Sequence, residues 1–270
     1  MREVLKRNNV LVFGKGTEPI MFAHGFGCDQ NIWRLITPAF EEEYKIILFD
    51  LVGFGKSDFK EYNKERYNDL NGYAQDILEI IEALELKDIL FVGHSVAAMI
   101  GLIAAVKERD AFKSMIFINI TPCYENKISY RGGFDRESLV EILNLMKMNY
   151  IGWVKYFAPI IMKNPDKPGL SEDLIKTLSV SNPEITIKFA EIVFLSDNTD
   201  YLKKLKIPSL ILQTYDDIFV PPEVSEFVAQ EIKNSTLKFM DATGHFPQLS
   251  APAETIKPIK IFLENTKSNI

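Results

Sequence analysis

Short, uniformly apolar runs alternate along the chain with longer segments in which apolar residues recur every three to four positions. The apolar runs predict strands over residues 10–13, 20–23, 46–49, 89–92, 115–120, 209–213 and 237–240. The longer segments predict helices, among them 71–85, 96–107, 222–232 and 253–264. Such alternation is typical of βαβ units, and near-uniform apolar strands are typical of a sheet that helices cover on both faces. The pattern predicts an α/β fold with a mostly parallel sheet.

The alternation breaks once, because no strand pattern occurs between residue 123 and about residue 200. The segments "ESLVEILNLMKMNYIGWVKYFAPIIM" and "EITIKFAEIVFL" predict amphipathic helices, and "KNPDKPG" and "SNPE" predict turns between them. We therefore expect an α/β core of residues 1–122 and 201–270, interrupted by a helical cap, or lid, of residues 123–200. Binding crevices of open α/β folds lie at the carboxyl edge of the sheet, which is where we expect the cap.

Composition and charge narrow the class of protein. The chain has 270 residues, 47% of them hydrophobic, and a net charge of −6, which suits a globular protein and argues against a nucleic-acid surface. The charged start "MREVLKRNNV" predicts no signal peptide, and the longest apolar runs are too short for a membrane span. The two cysteines are not in a disulfide or metal-binding pattern. These features predict a cytoplasmic protein.

The most informative stretch is "ILFVGHSVAAMIGLIAA", in which Ser95 stands between an apolar run and a helical segment. This pattern resembles G-x-S-x-G, the turn that presents a nucleophilic serine at a helix N-terminus, where backbone N–H groups stabilise negative charge. Ala97 replaces the last glycine and adds a methyl group at a crowded position. The alternative interpretation is an ordinary strand-to-helix corner that happens to contain a serine.

A serine nucleophile needs a base and a carboxylate, and the chain has only three histidines: His24, His94 and His245. Each lies in a glycine-bearing turn near an apolar run, and histidine is the side chain best suited to general-base chemistry near pH 7. The segment "QTYDDIFVPPE" supplies the acid. Asp217 is favoured, while Asp216 remains an alternative and both can instead cap the turn.

Together these residues define a candidate catalytic set. Ser95, Asp217 and His245 occur in the order Ser, Asp, His, and each follows a predicted strand, as in α/β-hydrolases. In this scheme the backbone N–H groups of Val96 and of Phe26, in the segment "HGFG", bind the oxyanion.

One further glycine-rich loop, "DLVGFGKSD", resembles a phosphate-binding loop. The phosphate-binding pattern requires glycine where this chain has Asp50, and no helix is clearly predicted after Ser57. We therefore interpret it as the architectural D-x-x-G-x-G-x-S turn of α/β-hydrolases. No cofactor or metal site is predicted, since histidines, cysteines and carboxylates do not occur at metal-ligand spacing.

Seven segments carry a closer resemblance, which extends over nearly the whole chain: "IMFAHGFGCDQNIW", "FEEEYKIILFDLVGFGKSD", "YAQDILEIIEALELKDILFVGHSV", "PCYEN", "GGF", "NYIGW" and "LILQTYDDIFVP". They resemble the RsbQ-like bacterial stress-response regulators of the α/β-hydrolase superfamily and the related plant strigolactone and karrikin receptors. The resemblance implies a sheet of seven to eight strands with helices on both faces and a V-shaped cap of four helices. It also implies the triad Ser95, Asp217 and His245 with oxyanion donors at Phe26 and Val96.

The resemblance further implies an apolar pocket between core and cap. Its expected lining is Phe134, Trp153, Phe157 and Phe194 from the cap, with Phe26, Val96, Phe219 and Phe246 from the core. An aromatic cavity with few polar groups favours a small, hydrophobic ligand.

The implied function is that of a serine hydrolase of small hydrophobic esters or lactones, a carboxylic ester hydrolase. In the RsbQ-like family it acts as a signalling regulator of a PAS-domain serine/threonine phosphatase in the sigma-B stress response. Three alternatives stay open: a stand-alone carboxylesterase, a carbon–carbon bond hydrolase with the same triad and no signalling partner, and a non-catalytic ligand-binding module. Neither a nucleic acid nor a membrane is an expected partner.

Overall fold

The computed structural model describes residues 2–267, and the sheet within them has seven strands. These are β1 (Leu11–Phe13), β2 (Glu18–Ala23), β3 (Tyr44–Phe49), β4 (Ile89–His94), β5 (Phe112–Ile118), β6 (Ser209–Asp216) and β7 (Ser235–Thr243). Their order in the sheet is β1-β3-β2-β4-β5-β6-β7, and only the β1–β3 pair is antiparallel. The predicted mostly parallel α/β sheet is confirmed.

Helices alternate with the strands and cover the sheet. They are α1 (Arg2–Arg7), α2 (Leu70–Ala83), α3 (Val96–Lys107), α4 (Arg136–Met148), α5 (Tyr150–Met162), α6 (Pro168–Ser179), α7 (Pro183–Leu195), α8 (Thr199–Leu202), α9 (Pro222–Glu231), α10 (Pro247–Ser250) and α11 (Pro252–Lys267). No helix of residues 2–267 has both the length and the apolar character that crossing a membrane requires.

The centre of the sheet positions the candidate serine. Strand β2 pairs with β3 on one side and with β4 on the other, so the winding direction of the chain reverses there. Such a reversal opens a crevice at the carboxyl ends of the strands. Helix α3 leaves this edge and is apolar all round, as expected of a helix that is buried on every side. It packs closely on β4, where a Cβ on Gly101 would lie 2.0 Å from the Phe91 ring.

The segment between β5 and β6 carries helices α4 to α8, and its regular secondary structure is helical apart from isolated bridges. The first predicted helical segment splits at Asn149, whose side chain accepts a hydrogen bond from Gly152 N–H and caps α5. Two predicted turns were too long, since α6 and α7 begin inside them, at Pro168 and Pro183. Proline is favoured at the first position of a helix because a backbone N–H at that position would have no acceptor within the helix, so its absence costs nothing.

The division into a core of residues 1–122 and 201–270 and a cap of residues 123–200 remains our proposal. Residues 1 and 268–270 of that division lie outside the described part of the chain.

Candidate active site

Ser95 occupies a strained turn between β4 and α3. Its backbone has φ 56° and ψ −127°, a conformation that residues other than glycine rarely adopt. Two hydrogen bonds hold the turn: Ser95 N–H donates to Ile118 O at 2.8 Å, and Ala98 N–H donates to Ser95 O at 2.9 Å. The turn forms with alanine at position 97, and the methyl group of Ala97 is fully buried. The missing glycine therefore does not prevent the serine from taking the nucleophile conformation.

Ser95, His245 and Asp217 form a continuous hydrogen-bonded chain. His245 Nε2 lies 2.8 Å from Ser95 Oγ, and His245 Nδ1 lies 2.6 Å from Asp217 Oδ2. Asp217 is also held by Phe219 N–H, which donates to its Oδ1 at 2.9 Å. Because the carboxylate accepts a hydrogen bond from Nδ1–H, the proton stays on Nδ1, and Nε2 is left to accept the hydroxyl proton of Ser95. The arrangement suits proton transfer from the serine to the imidazole.

The structure distinguishes between the two adjacent aspartates. Asp216, at the end of β6, is more than half exposed and pairs with Lys163 Nζ at 2.5 Å. Asp217 is buried and contacts His245. Only the second of the two is therefore placed to orient the imidazole.

His24 is engaged elsewhere. Its Nε2 accepts a hydrogen bond from Leu51 N–H at 2.9 Å, and its Nδ1 donates to Gly25 O at 2.9 Å. Burial lowers the pKa of His24, although the nearby Asp50 opposes the shift. This neutral imidazole ties the loop after β2 to the loop after β3 and is not a base for Ser95.

The loop around Asp50 also has an architectural role. The carboxylate accepts hydrogen bonds from the backbone N–H of Gln30 and of Lys56 and from the Asn9 side chain. These contacts hold the loop of residues 50–58, whose sequence "DLVGFGKSD" resembles a phosphate-binding loop.

The two predicted oxyanion donors flank the serine. Val96 is the first residue of α3, where the helix dipole adds positive potential. Phe26 lines the same cavity as Ser95. Within residues 2–267, neither of their backbone N–H groups donates to a protein acceptor. Both groups are therefore available to a substrate oxygen.

A small apolar cavity of about 30 Å³ lies over Ser95. Its lining comprises Phe26, His94, Ser95, Tyr124, Trp153, Ile161, Leu174, Leu178, Val193, Phe194, Phe219, His245 and Phe246. Pockets for drug-sized ligands begin at roughly 300 Å³, so the cavity in this form admits only a small group.

Most predicted lining residues border the cavity, but three do not. Phe134 packs on Phe219 with ring centroids 6.0 Å apart, and Phe157 packs on Trp153 at 5.3 Å, so each lies one layer behind the lining. The third is Val96, which is buried beneath the serine turn. These aromatic residues support the lining instead of forming it.

Sequence reasoning missed Tyr124 as a site residue. Burial raises the pKa of its phenol, and a hydrogen bond with the Ser95 side chain opposes this shift. Its ring contacts Phe194 edge-on, with centroids 5.3 Å apart. The residue occurs in the quoted segment "PCYEN", but nothing in the pattern around it indicates that its side chain turns towards the serine.

Comparison with known proteins agrees with this architecture. Residues 18–252 match the family described as the alpha/beta hydrolase fold. The chain is 35% identical to a strigolactone esterase of Arabidopsis thaliana over 252 residues, which cover 93% of this chain and 94% of that relative. It is 34% identical to a karrikin insensitive 2 receptor of Petunia hybrida, over 92% of this chain and 93% of the relative. A solved hydrolase from Oleispira antarctica is 37% identical, with a TM-score of 0.95 and coverage of 98% and 97%.

The serine turn and the parallel sheet behind it define a serine hydrolase. The chain belongs to the α/β-hydrolase fold family. This confirms the predicted superfamily and the resemblance to plant receptor hydrolases, whereas the assignment to the RsbQ-like regulators stays a prediction.

Proposed function

We propose that this protein hydrolyses small hydrophobic esters or lactones with Ser95 as the nucleophile. The observation that carries the proposal is the hydrogen-bonded chain from Asp217 through His245 to Ser95, which ends at an apolar cavity. The resemblance to a strigolactone esterase supports ester or lactone chemistry.

In the first half of the reaction, Ser95 Oγ attacks the carbonyl carbon while His245 Nε2 takes the hydroxyl proton. The N–H groups of Phe26 and Val96 bind the oxyanion of the tetrahedral intermediate. The protonated His245 then gives its proton to the leaving alkoxide, and an acyl-enzyme remains. With a lactone, the leaving alcohol stays attached to the acyl group.

In the second half, His245 takes a proton from water, and the resulting hydroxide attacks the acyl carbonyl. Collapse of this intermediate returns the proton to Ser95 and releases the carboxylic acid. Asp217 holds the imidazole in the reactive tautomer throughout and stabilises its positive charge.

The cavity indicates the kind of acyl group that fits. Its lining is aromatic and aliphatic apart from the serine, the histidines and the tyrosine phenol, which disfavours charged acyl groups. Its small volume favours an acetyl-sized group, and a larger substrate requires α5, α6 or α7 to move outward.

We expect a stopped-flow trace with p-nitrophenyl acetate to show a burst of about one nitrophenolate per chain, because acylation precedes a slower deacylation. Mass spectrometry of the quenched protein is expected to place one acetyl group on the peptide that contains Ser95. The matched decanoyl ester should acylate more slowly, since its chain exceeds the cavity. Release of nitrophenolate no faster than in buffer, with no acetylated peptide, would contradict the proposal.

A signalling role is a second candidate, and one contact favours it. The backbone N–H of His245 donates to Ile161 O, in the last turn of α5, at 3.0 Å. Movement of this helix is therefore linked to the geometry of the triad. This contact supports a conformational signal, and the sequence resemblance suggests its recipient: we propose that the protein acts as an RsbQ-like regulator of a PAS-domain serine/threonine phosphatase of the sigma-B pathway in the cytoplasm.

We expect an immobilised PAS-domain phosphatase to retain the protein in a pull-down, and the retained amount to change when p-nitrophenyl acetate is present. The physical reason is that acylation changes the contents of the cavity against which α5 packs. The same bait without its PAS domain is the control. Failure to bind with or without ester would refute this partner but leave the hydrolase proposal intact.

A further inference from the structure

We propose that His94 is a positioning residue for His245, whose backbone carbonyl accepts a hydrogen bond from the His94 ring. The inference rests on the proposed function, since it takes His245 as the base. His94 Nε2 lies 2.6 Å from His245 O. A carbonyl oxygen only accepts, so Nε2 carries the ring proton and donates it. The mechanism above assigns no role to His94, although this residue precedes the nucleophile and lines the cavity.

The other ring nitrogen of His94 is shielded from the reaction. His94 Nδ1 is buried and has no hydrogen-bond partner among residues 2–267. It faces Gly25 in the oxyanion loop, where a Cβ would lie only 2.6 Å from it. With Nε2 engaged and Nδ1 covered by this loop, neither nitrogen is available to exchange a proton with Ser95 or with substrate. The ring therefore acts through the backbone of its neighbours.

The charge of His94 stays constant while the charge of its neighbour changes. Burial lowers the pKa of His94 well below its usual value, and the positive charge of a protonated His245 lowers it further. The ring centroids of the two residues are 5.0 Å apart, so two positive charges would repel strongly there. His94 consequently remains a neutral donor when His245 becomes an imidazolium ion, and the contact survives each proton transfer.

Other groups complete a clamp on the loop that carries the base. Asn119 Nδ2 donates to the same His245 carbonyl at 3.3 Å, and Thr214 Oγ1 donates to Gly244 O at 2.9 Å. On the cap side, Ile161 O accepts the His245 N–H. The contact of His94 is the shortest of these, and the His94 ring also lies against Gly25 in the oxyanion loop. A displacement of about 1 Å in a catalytic group can cost about 10²-fold in rate, so loss of this contact should be visible in the kinetics.

The kinetic test compares His94→Leu, which keeps the approximate volume but has no donor, with His94→Gln, which keeps an N–H donor. We expect His94→Leu to lower the acylation rate constant for p-nitrophenyl acetate by about 10- to 100-fold, with KM changed less than about threefold. His94→Gln is expected to recover most of that loss. Both are assayed well below their own melting temperatures. Wild-type acylation in His94→Leu, or equal losses in both variants, would overturn the proposal.

A second test needs no variant. Because the chain has three histidines, ¹⁵N-labelled histidine gives three ring systems to assign by NMR. The contacts predict the proton on Nε2 in His94 and on Nδ1 in His24 and His245. We expect His94 to be the one ring of the three with its proton on Nε2, and we expect this ring not to titrate between about pH 5 and pH 8. A proton on Nδ1 of His94 would overturn the proposal. This readout is independent of activity, so absence of the acylation burst would count against the proposed function alone.

Discussion

Replacement of Ser95 by alanine is expected to abolish the nitrophenolate burst and to lower kcat by up to about 10⁶-fold. The variant retains His245, Asp217 and the oxyanion donors, but no atom remains to form the acyl-enzyme. Some acceleration over buffer is expected to persist, because the oxyanion site and the cavity still bind and polarise the ester. The measurement is stopped-flow absorbance at matched protein concentration, followed by steady-state turnover.

Ser114→Ala is the matched control. Ser114 is a fully buried serine on β5, and its Oγ has no hydrogen-bond partner within the described residues. Ser114→Ala also deletes one buried serine hydroxyl, but it leaves no hydrogen-bond partner unsatisfied. We therefore expect kcat to stay within about twofold of wild type. A burst that survives in Ser95→Ala would show that another group is acylated. If the wild-type protein binds the ester but releases no nitrophenolate, the result would instead favour the non-catalytic binding module.

The parts of the molecule that were predictable from sequence are those set by local pattern. Uniform apolar runs predicted the seven strands. Most strand ends extend further because polar residues such as Glu18 and Thr243 also pair across the sheet, whereas β1 begins one residue later and β5 ends two residues earlier than predicted. The serine turn was predictable because its geometry depends on a few adjacent small residues. The order of Ser95, Asp217 and His245 followed from strand ends that a parallel sheet brings to one edge.

Other parts depend on distances between helices, which periodicity does not encode. The apolar faces of α5, α6 and α7 were apparent, but which of their residues reach the cavity, and how small the cavity is, follow from packing. Tyr124 lies in the irregular segment between β5 and α4, where no periodicity indicates which way a side chain points. The buried Asp76 likewise pairs with Arg7 and Arg66, which lie outside its own helix. The sequence of that helix does not indicate that this carboxylate is buried or which arginines it contacts.

The end of α5 and the loop that carries His245 are also joined by contacts that sequence reasoning did not suggest. The last carbonyls of α5 have no partners within the helix. Ile161 O accepts the His245 N–H, and Met162 O accepts Asn164 Nδ2, which also donates to Thr243 O. A Cβ on Gly244 would lie 2.0 Å from Met162 O, so the helix end and the loop that carries His245 are in direct contact. If His245 is the base, as proposed, a substrate large enough to move α5 would also displace the His245 loop, so we expect this coupling to favour small acyl groups.

Asp217→Asn is expected to lower kcat for p-nitrophenyl acetate about 10⁴-fold, with the fold unchanged. The asparagine amide can donate to His245 Nδ1, which stabilises the tautomer with the proton on Nε2. That tautomer cannot accept the hydroxyl proton of Ser95, and the imidazolium ion also loses its counter-charge. The measurements are kcat from steady-state turnover and the acylation rate constant from the burst phase, with circular dichroism as the check on folding.

Asp216→Asn provides the control at the adjacent position. It removes one carboxylate from the same turn but breaks only the exposed contact with Lys163, and exposed ion pairs contribute about 0–1 kcal/mol. Because neither Asp216 nor Lys163 contacts Ser95 or His245, its acylation rate should remain within about fivefold of wild type. Equal losses in the two variants would mean that the turn as a whole, and not the Asp217 carboxylate, supports the reaction. A large loss in Asp216→Asn alone would assign the working acid to Asp216, because the two variants differ only in which carboxylate remains.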